Sequence, residues 1–212
     1  MPMDKQPAIL LVEDDPDMTG VPESWYDREK NTPDPARRNQ FRMERLRASA
    51  DNTIVRYWNN QGFRPELATT VEDSLALIEH HGLSFRAALI DKGARNAPGS
   101  LGHHGGLDVV QALRTKNPDC FIAVWSGEGT FSPEVVESGI SAFTLKPTEL
   151  DWLVRTVREG INFGHQEGTV FILNTLGSYI PSEQHGVRLY EINGTSSLET
   201  YFSGTKHHPE RR

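Results

Sequence analysis

Three short runs of uninterrupted apolar residues punctuate an otherwise polar chain: residues 8–12 (Ala-Ile-Leu-Leu-Val), 87–90 (Ala-Ala-Leu-Ile) and 121–125 (Phe-Ile-Ala-Val-Trp). Runs this short, without alternation, suit strands covered on both faces, as in a parallel sheet. Residues 64–69 and 142–145 are further strand segments with a weaker pattern. Between them the spacing turns helical. Val71, Leu75 and Ile78 share a face after a helix-start signature at Thr70-Val-Glu-Asp73. Val110 and Leu113 point inward from residues 107–115, a short helical stretch covers 133–138, and Leu150, Leu153, Val154, Val157 and Ile161 form a stripe. Residues 36–61 also read as helical, with Phe41, Met43, Leu46, Ile54, Val55 and Trp58 on the apolar side, until Gly62 stops the pattern. Strands alternating with helices predict an α/β doubly wound domain, a parallel sheet with helices on both faces.

Two more strand-like pieces follow, residues 169–173 and 187–192, separated by Pro181 and glycines. The expectation for them is a hairpin packed on the main domain, with a disordered end at residues 206–212.

In open parallel sheets, ligands bind beyond the carboxyl ends of the strands. The first run delivers Glu13 and Asp14 there, the second Asp91, the third Ser126, and residues 142–145 lead to Lys146. Three carboxylates, a hydroxyl and an ammonium would thus converge on one rim. Such acids repel one another unless a cation is present, and an oxygen-only ligand set suits Mg²⁺. The lysine and hydroxyl are then placed to hold an anion such as a phosphoryl group. Each position also has a plain structural reading. Glu13 and Asp14 suit a helix start, Asp91 a cap, Ser126-Gly127 a turn, and Phe143 the core.

Composition narrows the setting. With 36% hydrophobic and 24% charged residues among 212, the chain has ordinary globular proportions. It has no apolar run of transmembrane length and no signal-like N-terminus. A net charge of −7 argues against direct nucleic-acid binding. The single cysteine, Cys120, cannot form an internal disulfide and points to a reducing, cytoplasmic setting. Arg37, Arg38, Arg42, Arg45, Arg47 and Arg56 cluster in one segment, partly balanced by Glu44 and Asp51, and read as a solvated face. His103 and His104 stand in a glycine-rich stretch that reads as a solvated loop.

The order and approximate spacing of Val12-Glu-Asp-Asp15, Asp91, Ser126-Gly127 and Lys146-Pro147, with Gly139-Ile-Ser-Ala-Phe143 before the lysine, resembles response-regulator receiver domains. The resemblance covers about residues 7–162, within a receiver domain spanning 1–163, and leaves 164–212 as a C-terminal extension. It implies a flavodoxin-like five-stranded sheet of order 2-1-3-4-5. It also implies that Asp91 is the phosphoacceptor and that Glu13, Asp14, Asp91 and the backbone carbonyl of Gly93 hold Mg²⁺. Lys146 would neutralise the transferring group and Ser126 would hydrogen-bond the phosphoryl oxygen. Phe143 would be an aromatic switch that alters the surface formed by the fourth helix and fifth strand. The implied partners are a histidine kinase or phosphotransfer protein and a downstream protein, with neither nucleic acid nor membrane. Self-association as a homodimer is compatible with this reading, and no enzyme activity is expected beyond slow self-dephosphorylation.

The chain departs from the family pattern in several places. Residues 18–52 form an insertion after the first acids, and the loop at 94–106 is long. Asp91 is followed by Lys92-Gly-Ala-Arg95 rather than Met-Pro; two cations so close could weaken Mg²⁺ binding or add to phosphate stabilisation. The fourth helix looks short, crowded by Gly129 and Pro133. These departures keep open a degenerate receiver-like interaction module that takes no phosphate. A phosphatase of the haloacid-dehalogenase type is disfavoured, because the acid it needs two positions beyond the nucleophile is Gly93 here. No helix-turn-helix pattern follows the domain, which disfavours a transcription factor.

Overall fold

A computed structural model describes residues 6–14, 23–50, 53–95, 105–127, 132–146, 150–173, 183–184, 186–192 and 198. Along the chain, β1 (Ala8–Val12) is followed by α1 (Glu23–Lys30), α2 (Pro35–Ala50), α3 (Thr53–Asn60), β2 (Arg64–Ala68), α4 (Val71–His81) and β3 (Phe85–Asp91). Then come α5 (Gly105–Lys116), β4 (Phe121–Ser126), α6 (Pro133–Glu137), β5 (Ala142–Leu145), α7 (Leu150–Phe163), β6 (Thr169–Leu173), β7 (Glu183–Gln184) and β8 (Val187–Ile192). Thr70 caps α4, its side chain accepting a hydrogen bond from the Asp73 amide. Gly62 turns the chain after α3 with a φ of +83°, a value favouring glycine.

The strands lie in the order β2-β1-β3-β4-β5-β6-β8-β7. All neighbouring pairs are parallel except the two-residue β7, which runs antiparallel to β8. Side chains of successive residues leave a strand on opposite faces, and the core divides accordingly. Leu10, Val12, Ala88, Ile90, Ile122 and Val124 join one apolar cluster with Val71 and Ile78 of α4 and Val110 and Leu113 of α5. Ile9, Leu11, Ala87, Leu89, Phe121 and Trp125 join a second cluster with Ile54, Val55 and Trp58 of α3 and Leu153 and Val157 of α7. Burial on both faces is why these strands read as continuous apolar runs rather than as alternations.

The order 2-1-3-4-5 is present, but the sheet does not stop at five strands. β6 pairs in parallel with β5, and β8 pairs in parallel with β6, so the expected tail hairpin does not form. The physical reason lies in residues 169–173. Val170 and Ile172 enter one cluster and Phe171 and Leu173 the other. A strand apolar on both faces belongs inside a covered sheet, whereas a hairpin on the surface would leave one of those faces wet. The expected disorder of residues 206–212 lies outside the described residues.

The insertion supplies α1 and α2, whereas α3 buries its own stripe and serves as the helix between β1 and β2. The apolar face expected across residues 36–61 holds for Ile54, Val55 and Trp58, but Met43 is 45% exposed. The arginine cluster is more than a solvated face at one point. Arg42 pairs with Glu72 at 2.7 Å and with Asp73 at 2.8 Å, tying α2 to the start of α4.

Candidate functional site

β1 and β3 are neighbours, so their last residues deliver acids to adjacent points on one rim. Glu13, Asp14 and Asp91 each offer a carboxylate oxygen, and these oxygens lie within 4.8 Å of one another. Lys146 follows β5, two strands from Asp91, and reaches back across β4. Its Nζ stands 2.7 Å from Glu13 Oε2 and 2.8 Å from Asp91 Oδ2. It also lies 4.5 Å from the centre of the Trp125 ring, a cation–π contact that holds the ammonium over β4. Burial alone would pull the Lys146 pKa down, but Glu13 and Asp91 outweigh it and hold the pKa above its usual value. The other Asp91 oxygen, Oδ1, accepts the Gly93 amide at 2.9 Å. The Asp91 carboxylate is therefore held at both oxygens.

Asp14 has a separate partner. Its Oδ2 accepts the Arg95 amide at 3.2 Å and the Arg95 Nε at 2.8 Å. Burial raises the Asp14 pKa; Arg95 opposes that and Asp91 adds to it, leaving the pKa above the usual carboxylate value. Arg95 is itself anchored through its main chain, because its carbonyl accepts the amide of Val71, the first residue of α4, at 2.7 Å. Of the two cations after Asp91, Arg95 thus joins the acidic group. Lys92 is 3% exposed, and its main chain bonds to Trp125 and Gly106.

Ser126 ends β4, buried, and its carbonyl accepts the Lys146 amide at 2.8 Å. Phe143 is also buried, in register with Val124 of β4 and Ile172 of β6. Gly93 contributes its amide to Asp91. The chain packs closely here: a Cβ added at Gly106 would stand 2.1 Å from the Asp91 carbonyl oxygen. Only glycine lets the first turn of α5 come this near the end of β3. His103, His104 and Pro147 lie outside the described residues.

Sequence reading left Trp125 and Gly106 without a role, and Arg95 as a cation with two open ones. Arg95 was visible as a nearby cation, but its pairing with Asp14 depends on how the loop after β3 folds back. Trp125 looked like core, and only its register beside Asp91 sets it beneath Lys146. Gly106 gave no signal beyond its glycine-rich surroundings.

The donor set is oxygen-only, anionic and confined to one small volume. That is the chemistry of a hard divalent cation such as Mg²⁺, for which Glu13, Asp14 and Asp91 would be the ligands. Such a rim, on a sheet whose first five strands follow the order 2-1-3-4-5, decides the comparison. The chain resembles response-regulator receiver domains. Among curated proteins it is 33% identical over 98 residues to the photosynthetic apparatus regulatory protein RegA of Rhodovulum sulfidophilum, covering 45% of this chain and 49% of that protein. Against RegA of Rhodobacter capsulatus it is 30% identical over 98 residues, covering 45% of this chain and 48% of that protein. The chain therefore spans about half the length of the curated relatives it matches. A CheY-like receiver domain from Methanospirillum hungatei JF-1 superposes with a TM-score of 0.49 at 19% identity, covering 75% of this chain and 96% of that one. That superposition is loose, and the resemblance rests on the strand order, the rim residues and the RegA matches. No family model matches the chain. No described helix is long and apolar enough to cross a membrane.

Proposed function

We propose that this receiver-like core is a phosphoacceptor that takes a phosphoryl group on Asp91 from a histidine kinase or phosphotransfer protein and signals by protein contact. The observation that carries the reading is the Asp91 carboxylate, held at one oxygen by Lys146 and at the other by the Gly93 amide, inside a cluster of three acids. In the transfer, a new bond forms between an Asp91 oxygen and phosphorus while the bond from phosphorus to the donor imidazole breaks. Such transfers pass through a loose transition state, so catalysis is positioning and charge neutralisation. Lys146 already lies 2.8 Å from Asp91 Oδ2, where it offsets charge on the incoming group. Ser126, buried at the end of the next strand, donates its hydroxyl to a phosphoryl oxygen. Glu13, Asp14 and Asp91 would hold Mg²⁺, which when bound would supply further positive charge beside the phosphoryl group. On this reading the chain is a signalling domain and not an enzyme.

The second reading is a receiver-like interaction module that takes no phosphate. The pairing of Arg95 with Asp14 favours it, since a protein cation already occupies one acid of the cluster. Intact mass after incubation with Mg²⁺ and acetyl phosphate separates the two. A phosphoryl-sized gain in the wild type and none in Asp91→Asn is the expected result. Equal gain in both, or none in either, overturns the phosphoacceptor.

A further inference from the structure

Among the described residues, five charged groups meet at the rim: the carboxylates of Glu13, Asp14 and Asp91, the ammonium of Lys146 and the guanidinium of Arg95. Lys146 is shared by Glu13 and Asp91, while Arg95 is on Asp14 through both its amide and Nε. The two cations are held in different ways. The main chain of Lys146 is fixed beside Ser126, and its ammonium is also held over the Trp125 ring. For Arg95 the main chain is pinned at two points, by the Val71 amide on its carbonyl and by its own amide on Asp14. The Nε contact with Asp14 is thus separate from the main-chain bonds that anchor the loop.

We propose that Arg95 is a built-in competitor for the divalent cation at Asp14, setting how tightly the rim takes up metal. This rests on the phosphoacceptor reading in treating the three acids as a cation site. A divalent ion and a guanidinium draw on the same carboxylate charge. In the ion-free rim Arg95 offsets part of the repulsion among the acids; when the ion enters, that role passes to the ion and the Nε contact is surrendered. Affinity is then lower than the three carboxylates alone would give, by the strength of the contact that must be broken. The same competition makes cation uptake dependent on a loop joined to α4, and through Arg42 on Glu72 and Asp73 to the inserted helix α2.

The test is Mg²⁺ titration of the full chain by calorimetry, with Mn²⁺ paramagnetic resonance as a second readout, on wild type, Arg95→Ala and Arg95→Gln. Both variants keep the two main-chain anchors, and the neutral glutamine retains a polar side chain should alanine loosen the loop. The expected result is Mg²⁺ affinity roughly three- to tenfold higher in both variants than in the wild type, the scale of losing one charge-assisted contact. Unchanged or weaker affinity in both variants, with measurable wild-type binding and Asp91 still labelled, overturns the competitor role and leaves the phosphoacceptor standing. Absence of Mg²⁺ binding in all three proteins overturns both.

Discussion

The two ends of the sheet both bury charge, and they do so in opposite ways. At the rim, three carboxylates face two cations, leaving one formal negative charge in excess among these five groups. At the other end, where β4, β5 and β6 begin, the hydrogen bonds of Arg114 go to neutral acceptors, with the charge of Asp119 nearby. Its Nε donates to the Gly139 carbonyl at 3.0 Å, and its Nη1 to the Cys120 carbonyl at 2.9 Å and to that of Pro118. Its Nη2 donates to Ser141 Oγ at 3.4 Å, and that oxygen also accepts the Ile122 amide and lies 3.3 Å from His165 Nδ1. A depression of about 420 Å³ lies at this end, lined by Phe85, Asn117, Asp119, Cys120 and His165 among others. Its size draws attention, yet Asn117 is already spent on the Gly82 and Phe85 carbonyls. Burial raises the Cys120 thiol pKa to about 12, so the thiolate is scarce there at neutral pH. The comparison teaches that a depression of this size need not mark a ligand site. A charge whose donors are consumed by backbone carbonyls ties elements together, while three carboxylates within 4.8 Å of one another offer oxygen ligands to a cation.

The comparison can be broken first with Arg114→Ala. Several carbonyls and one hydroxyl lose a shared donor at once, so the variant should lose about 2–3 kcal/mol in denaturant unfolding. Asp91 labelling should persist below the new midpoint. Loss of labelling in a folded Arg114→Ala protein would show that the two ends are coupled. Asp91→Asn is the converse. It removes one acid from a crowded cluster while Glu13 still holds Lys146, so stability should stay within about 1 kcal/mol of wild type. A much larger loss would mean that the acid is part of the framework and was wrongly assigned to a ligand site.

A smaller effect concerns acid, to which the two ends respond with opposite sign. His165 is held down to about 4 from its ordinary 6.5, first by burial and then by Arg114. Between those values the unfolded chain binds a proton that the folded chain refuses, so this contribution to stability is lost as pH falls from about 6.5 toward 4. Asp14, with its pKa raised chiefly by burial, works the other way: the folded chain takes up its proton more readily, so that contribution favours folding as pH falls through the acid range. His165→Gln should therefore lose less stability than wild type between about pH 7 and pH 4.5 in thermal melts. Parallel curves for the two proteins would remove His165 from the account.

How much of this was readable from residues follows from how local each signal is. Apolar runs at residues 8–12, 87–90 and 121–125 announced covered parallel strands because burial on both faces leaves its mark in consecutive residues. The acids and the lysine at strand ends were readable because β1, β3, β4 and β5 run parallel, which places their carboxyl ends on one rim. Residues 169–173 carried the same non-alternating pattern and could have been read the same way. Their distance from the resemblance, and Pro181 with the glycines beyond them, suggested a hairpin instead. With β6 beside it, β5 is an interior strand, and Thr144 Oγ1 donates to the Leu173 carbonyl at 3.2 Å. Phe143 therefore lies between two strands, and any switch through it would have to pass to β6 instead of to an open strand edge.

By itself the sequence determined the doubly wound class, the covered strands, and which acids, serine and lysine stand at their carboxyl ends. Each of these depends on period, polarity and order along the chain, properties that local chemistry writes residue by residue. Only the tertiary structure decided that Arg95 joins the acids while Lys92 is buried, that Trp125 lies under Lys146, and that Gly106 admits α5 to the end of β3. It alone also decided which strands the tail pairs with, β6 beside β5 and β8 beside β6. Those outcomes turn on which side chains meet across long stretches of chain, and loop path and strand register, which no local pattern records, choose the partners.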